Sequence, residues 1–364
     1  MSVATGSWFE RFLGRGAASV TVPPLDGALK PNNLLEEAPP GFTVTAPDNL
    51  ALRDGAPVWS SGAQLFRLDG DTPSLFATLD SDVTALACSG AGLIAAACEN
   101  HGIAILGRDG KPAGTALRDG GKHTCVTALA FAGEEALLVC VGSADNPLSA
   151  WQRDLLDQNR AGTLLRIDLK TGDVRQLATR LAFPNGVLTE ADGSIIVSES
   201  WAKRLIRLGP DGKIRGQLME DLPGYPARLS RSARGGYWLT IFAPRSPLIE
   251  FVLREPKYRR AMMAEVAPDY WIAPALRSGR SFHEPMQGGA LKQMGILKPW
   301  APTRSYGLVV EVNDGFAPIR SLHSRAGGRR HGITSAAEAG GRLWLTSKGG
   351  DEVVTINLQQ MRME

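Results

Sequence analysis

Most of the chain is built from strand-length runs of five or six apolar or alternating residues, separated by short polar turns. The run Val83-Thr84-Ala85-Leu86-Ala87 recurs letter for letter as Val126-Thr127-Ala128-Leu129-Ala130, an offset of 43 residues. Each copy leads through a turn into a second apolar run, Leu93 to Cys98 and Ala136 to Gly142, and then into a third, Ile103 to Leu106 and Thr163 to Leu169. The same order restarts at Asp48, Asn185, Ala227 and His331, which makes six units. In most units a fourth run follows across a turn such as Asp69-Gly70, Asp109-Gly110, Thr171-Gly172 or Asp211-Gly212, where glycine supplies the positive φ that a tight hairpin needs. A period of roughly 40 to 50 residues with four strands per unit predicts an all-β fold, a six-bladed β-propeller, with residues 1–364 as one domain. The sixth unit ends before a fourth strand can form. An N-terminal strand, from Ser19 or Phe42 onward, is therefore expected to complete it, leaving no open edge.

This topology sorts the loops. Strands alternate in direction, so the start of each inner strand and the connection between the second and third strands lie on one face. Two of those connections are long: Ser143 to Ala161 in blade three, and residues 242–306 in blade five, where Ile249 to Val266 reads as an amphipathic helix and the whole insertion as a lid-like segment. The first inner-strand residues are expected to ring the channel: Asp48, Thr84, Thr127, Asn185, Ala227 and His331, with Ile333 as the alternative register for the last. Asn49, Gly186, Arg228 and Gly332 stand next in line, and the loops add His101, His123, Trp201, Lys203 and Lys348. That is a polar, mixed-charge mouth suited to a small ligand. Polar residues at such a mouth also serve simply to satisfy backbone groups and ordered water. The lone loop histidines His101, His123 and His283 fit solvation as well as chemistry, and the cluster Arg254, Lys257, Arg259 and Arg260 fits a solvated helix face.

Charge and composition narrow the classes. Lys and Arg number 40 against 37 Asp and Glu, a formal +3 with no dense basic block, which speaks against nucleic acid as a partner. No apolar run reaches the roughly 18 residues of a membrane span, and residues 1–16 lack a basic start followed by an apolar stretch. Cys88, Cys98, Cys125 and Cys140 sit inside apolar runs at spacings that match no zinc pattern, so free buried thiols, a reducing compartment and a cytoplasmic location are expected.

The stretch AGTLLRIDLKTGDVRQLATRLAFPNGV from Ala161, the sequel SESWAKRLIRL, then DLPGYPARLSRSARGGYWLTI and the late GRLWLTSKGGDEV resemble the strictosidine synthase-like branch of the gluconolactonase and paraoxonase superfamily of six-bladed propellers. The resemblance is strong over residues 161–247 and collinear elsewhere. It implies a ligand site in the central mouth and, in the calcium-dependent lactonases of the superfamily, an ion held by acids and amides at strand starts. Asp48 and Asn185 are the metal ligands that this pattern would retain. Thr127 stands where an Asn is usual, and Ala227-Arg228 where Asp-Asn is usual, so the chain is expected to bind no tight calcium and to need no cofactor. Thr334 falls where true strictosidine synthases carry the glutamate that receives the amine proton, so that condensation is not expected. What the resemblance implies is a small-molecule enzyme, a lactone or ester hydrolase. Its catalytic residues would be His331, Arg228 and Asp48: Arg228 and Asn185 polarising a carbonyl, His331 activating water and Asp48 orienting the imidazole, with Asn185, Thr127, Thr84, His101 and Trp201 binding substrate. The alternative is a non-catalytic propeller that binds a small molecule or a partner protein.

Overall fold

Each predicted unit folds as an antiparallel four-stranded blade, and the six blades close into a ring: a six-bladed β-propeller. The computed structural model describes residues 22–117, 125–281, 283–285, 292–293, 296–297 and 303–359. The inner strands are Asp48–Arg53, Val83–Cys88, Val126–Phe131, Pro184–Thr189, Gly224–Arg231 and Ile333–Ala339. The repeated Val-Thr-Ala-Leu-Ala segments are the inner strands of blades two and three, which pack side by side. Between every pair of adjacent blades lies one apolar layer. Val126, Leu129 and Val139 pack with Ala85 and Ile103 between blades two and three, and Leu50, Trp59, Trp344 and Val353 seal blade one against blade six. Both faces of a blade are covered in this way, which is why the second strands read as unbroken apolar runs such as Ile94–Cys98, buried throughout.

The ring closes as expected. Phe42–Thr43 pairs antiparallel with Glu352 and Val353 as the fourth strand of blade six. The buried Arg330 clamps the approach to this strand: it donates to the carbonyls of Leu35, Ala38 and Pro39 at 2.8, 2.6 and 2.9 Å and pairs with Glu352 at 2.8 Å. The segment Ser19 to Thr21, like Trp8, Phe9 and His123, lies outside the described residues.

Four α-helices decorate the described chain: α1 (Leu34–Glu37), α2 (Trp151–Asp157), α3 (Pro247–Arg254) and α4 (Pro256–Glu265). The single helix expected over 249–266 is two, because Pro256 has no N–H to donate and forces Glu255 out of the helical region, to φ −100° and ψ 80°. The insertion is anchored. Ile249, Val252 and Leu253 of α3 join Trp201, Tyr225, Phe242 and Trp271 in one apolar cluster over blades three to five. Beneath α3, buried Glu250 accepts from Tyr225 Oη at 3.2 Å and pairs with Lys203 at 3.3 Å and Arg245 at 3.5 Å. Arg277 ties the later part of the insertion to Asp351 and to the Lys348 carbonyl at 3.0 Å each. None of the helices in the described residues is long and apolar enough to cross a membrane. All four cysteines are free thiols, and burial pushes those of Cys88 and Cys125 up to about 12.

Candidate functional site

Every inner strand carries a register shift at its start, between Val83 and Ala85, Val126 and Ala128, Pro184 and Gly186, Pro226 and Leu229, Asp48 and Ala51, and Ile333 and Ser335. A bulge leaves its extra residue out of the ladder, so that residue's carbonyl and side chain turn elsewhere. Here they turn to the axis. The six bulges place Asp48, Thr84, Thr127, Asn185, Ala227, Arg228 and Thr334 around a cavity of about 540 Å³, within the range of small-molecule sites.

Arg228 lies at the centre. Its Nη1 donates to Asp48 Oδ1 at 2.7 Å and Ser335 Oγ at 3.3 Å. Its Nη2 donates to the Thr84 and Thr127 carbonyls at 3.1 and 2.9 Å and to Asn49 Oδ1. Asn49 reaches inward because its backbone is left-handed, φ 55°, and its amide nitrogen is held by Ser60 Oγ and the Val83 carbonyl at 2.8 and 2.9 Å. The other oxygen of Asp48 takes Lys348 Nζ at 2.7 Å. Burial alone would raise the Asp48 carboxyl, but the charges of Lys348 and Arg228, with hydrogen bonds from Lys348 and Thr334, outweigh it and hold the group well below the usual carboxylate range. Asp48 is therefore a fixed anion and a poor proton acceptor. Gly186, in the Phe-Pro-Asn-Gly segment, is glycine for want of room: a Cβ there would stand 2.5 Å from the Ala227 carbonyl, on the strand that carries Arg228.

The cavity is two-sided. Leu148 and Trp151 of the blade-three insertion, Phe183, Phe242 and Leu276 form an apolar wall. Ser60, Ser61, Asp82 and Glu99 form the polar wall, and among the described residues the carboxylates of Asp82 and Glu99 make no ion pair. On the floor, the Asn185 amide makes no hydrogen bond to another described residue, whereas the Thr127 hydroxyl is spent on the Cys140 and Pro184 carbonyls.

Three expected site residues lie elsewhere. His331 is buried outside the cavity, because the inner strand begins at Ile333 and Thr334 takes the ring position. Its Nδ1 faces Ser305 Oγ at 2.7 Å and its Nε2 the Arg325 carbonyl at 2.9 Å. A carbonyl only accepts, so Nε2 carries the proton and Nδ1 receives the serine hydroxyl, which leaves no lone pair for a water. Burial also pushes its basicity down. Trp201 stands behind the wall, stacked on Phe183 at 4.3 Å between centroids, with its Nε1 donating to buried Asp154 at 2.8 Å. His101 is exposed and props the Glu99 loop through the Glu99 carbonyl, 2.9 Å from Nδ1. Sequence reasoning missed Trp151, Phe183 and Phe242, which alternate with core positions and carry no distinguishing signal. Lys348 and Asn49 were visible as mouth residues, but their convergence on Asp48 and Arg228 was not.

Calcium, which the superfamily resemblance implies, would need the oxygens that the guanidinium already holds. The residues present do not fit the ion. Among the described residues, no three His, Cys, Asp or Glu side chains group together as a metal site.

Comparison with models of known families finds no match. In sequence, the chain is similar to adipocyte plasma membrane-associated protein of Bos taurus, 28% identical over 212 residues, covering 55% of this chain and 45% of that protein. It is also similar to strictosidine synthase-like 13 of Arabidopsis thaliana, 32% identical over 108 residues, 29% of this chain and 27% of that one. The match spans about half the length of the first of these and less of the second. In structure, it is similar to a gluconolactonase from Xanthomonas campestris, with TM-score 0.54 and 13% identity over 86% of each chain. It is similar also to the calcium-binding protein regucalcin from Agrobacterium tumefaciens, with TM-score 0.51 and 12% identity over 84% of this chain and 85% of that one. The match to strictosidine synthase-like 13 agrees with the strictosidine synthase-like resemblance over 29% of the chain. At such identities the two structures speak for the fold alone.

Proposed function

We propose that the protein binds a small organic carbonyl or carboxylate compound in the central mouth, with a flat apolar body against Trp151, Phe183 and Phe242 and its oxygens toward Asn185 and Lys348. The observation that carries this reading is the two-sided cavity: an aromatic wall facing a floor that presents the Asn185 amide, without a hydrogen bond to another described residue, and the Lys348 ammonium, which gives one of its three N–H donors to Asp48. On that floor two cations share one carboxylate, while the Asp82 and Glu99 carboxylates stand on the polar wall, so the positive charge that favours an oxygen-rich end of the ligand is confined to the floor. The binding reading is preferred to hydrolysis because the base expected in His331 faces away from the cavity and Asp48 is too weakly basic to replace it.

Lactone or ester hydrolysis is the second reading. It is favoured by the Glu99 carboxylate on the cavity wall, which makes no ion pair among the described residues and would activate water while Lys348 and Asn185 hold the carbonyl oxygen. A gluconolactonase among the structural neighbours agrees with it. The free buried thiols support a reducing, cytoplasmic setting.

The test uses a panel of γ- and δ-lactones, aryl acetates and the matching hydroxy acids, with tryptophan fluorescence as the binding signal, since Trp151 lines the cavity. Binding predicts saturable quenching that Lys348→Met weakens by about tenfold, the scale of one charge-assisted hydrogen bond, without turnover. Turnover lost in Glu99→Gln would establish the hydrolase. Neither signal with any compound would overturn both readings.

A further inference from the structure

The partners of Arg228 are unlike those of an ordinary ion pair. A guanidinium meeting a carboxylate usually does so with two parallel N–H bonds. Here Nη1 gives one bond to Asp48, and the remaining bonds of the two Nη atoms go to neutral oxygens: the Asn49 amide, the Thr84 and Thr127 main-chain carbonyls and the Ser335 hydroxyl, while the buried Nε–H meets no acceptor among the described residues. Those oxygens come from blades one, two, three and six, and the bulges at Thr84 and Thr127 turn the two carbonyls to the axis instead of into the ladder. One carboxylate, one amide, two carbonyls and a hydroxyl form the donor set of a hard divalent cation. The guanidinium also sits at the waist of the channel, lining both the mouth and a second cavity of about 330 Å³ at the far end.

We infer that the Arg228 guanidinium is a tethered substitute for a central divalent cation: it fills an oxygen cradle built for an ion, draws four blades together at the axis, and leaves the cradle able to take calcium once the side chain is removed. The inference concerns the ring itself and holds whichever ligand the mouth accepts. An arginine that merely happened to pair with Asp48 would leave behind no cradle. It would not matter to such an arginine that the freed carbonyls of two further blades point at the same spot.

Charge adds a second expectation. In Arg228→Ala, Lys348 still neutralises Asp48 at 2.7 Å and opposes the incoming ion. Removing it as well, in Arg228→Ala/Lys348→Met, should tighten calcium binding on the order of tenfold or more, because the full carboxylate charge becomes available.

The experiment is calorimetric titration and thermal unfolding of the chelator-treated full chain with calcium. The wild type should show no saturable binding and an unchanged melting temperature. Arg228→Ala should melt lower and regain stability with millimolar calcium or with methylguanidinium, a gain that Asp48→Asn abolishes. Calcium binding by the wild type that depends on Asp48 would overturn the inference, and so would a folded Arg228→Ala variant that responds to neither cation. If Arg228→Ala does not fold unaided, refolding from urea with calcium or methylguanidinium present replaces the titration: recovery with either supports the inference, and recovery with neither overturns it.

Discussion

Asp48→Asn is the perturbation most directly weighed by the geometry, since the amide keeps the shape of the side chain while removing its charge and turning one of its two acceptor oxygens into a donor. Asp48 is bonded at 2.7 Å to Arg228 through one oxygen and at 2.7 Å to Lys348 through the other. The two cations bond opposite oxygens of one carboxylate, so with its charge gone their repulsion, taken at ~6 Å and an effective dielectric constant near 20, is about 3 kcal/mol. Removing one partner of a buried pair costs ~3–5 kcal/mol in general. Lys348, whose side chain is 31% exposed, relieves part of the strain by turning toward the opening, so the lower end is expected. Spread over an unfolding entropy of ~2.1 cal/mol/K per residue, about 3 kcal/mol lowers the melting temperature by roughly 4 °C. Urea unfolding of Asp48→Asn, Lys348→Met and the double variant forms a double-mutant cycle. Lys348→Met should be destabilising in the wild type, where it takes a cation from Asp48, and stabilising in the Asp48→Asn background, where it relieves repulsion. A loss below about 1 kcal/mol for Asp48→Asn, or two additive losses in the cycle, would refute the view that one carboxylate holds both cations.

Two further expectations follow from other buried groups. His323 lies between Tyr306 Oη and Ser321 Oγ, and burial, with the Arg325 charge, pushes it down to about 4 from 6.5. The unfolded chain takes up this proton and the folded chain does not, so stability should fall as pH drops from about 6.5 to about 4, by about 3 kcal/mol for this group, and His323→Gln should flatten that limb of the unfolding curve; an unaltered slope would rule out the assignment. Arg330→Met should remove the guanidinium from three carbonyls and leave Glu352 with only the Gly41 N–H, cost ~3–5 kcal/mol, and speed hydrogen exchange in residues 34–43 before the rest of the ring, whereas unchanged exchange there would show that the N-terminal strand holds without its clamp.

The periodicity of strand-length apolar runs was enough to reveal the propeller, its six blades and the borrowed N-terminal strand. These depend on local patterning and on the rule that a sheet edge must be covered, and both are written in every unit. The same alternation put Asp48, Thr84, Thr127, Asn185 and Ala227 at the mouth, because a strand start is fixed by its hairpin. It misplaced His331 by the width of one bulge, since Gly332 is left-handed, with φ 63°, and the strand proper begins at Ile333. The site's chemistry could not be read in this way. Asp48 and Arg228 are 180 residues apart, and only their shared place in the ring suggests a pair, whereas nothing near Lys348, 300 residues from Asp48, signals that it joins them. Trp201 looked like a mouth residue, yet Asp154, 47 positions away, turns its indole behind Phe183. Strand identity is a property of a few neighbouring residues, whereas the direction of a polar side chain at the axis is set by which of six blades offers the unsatisfied oxygen, and only ring closure decides that.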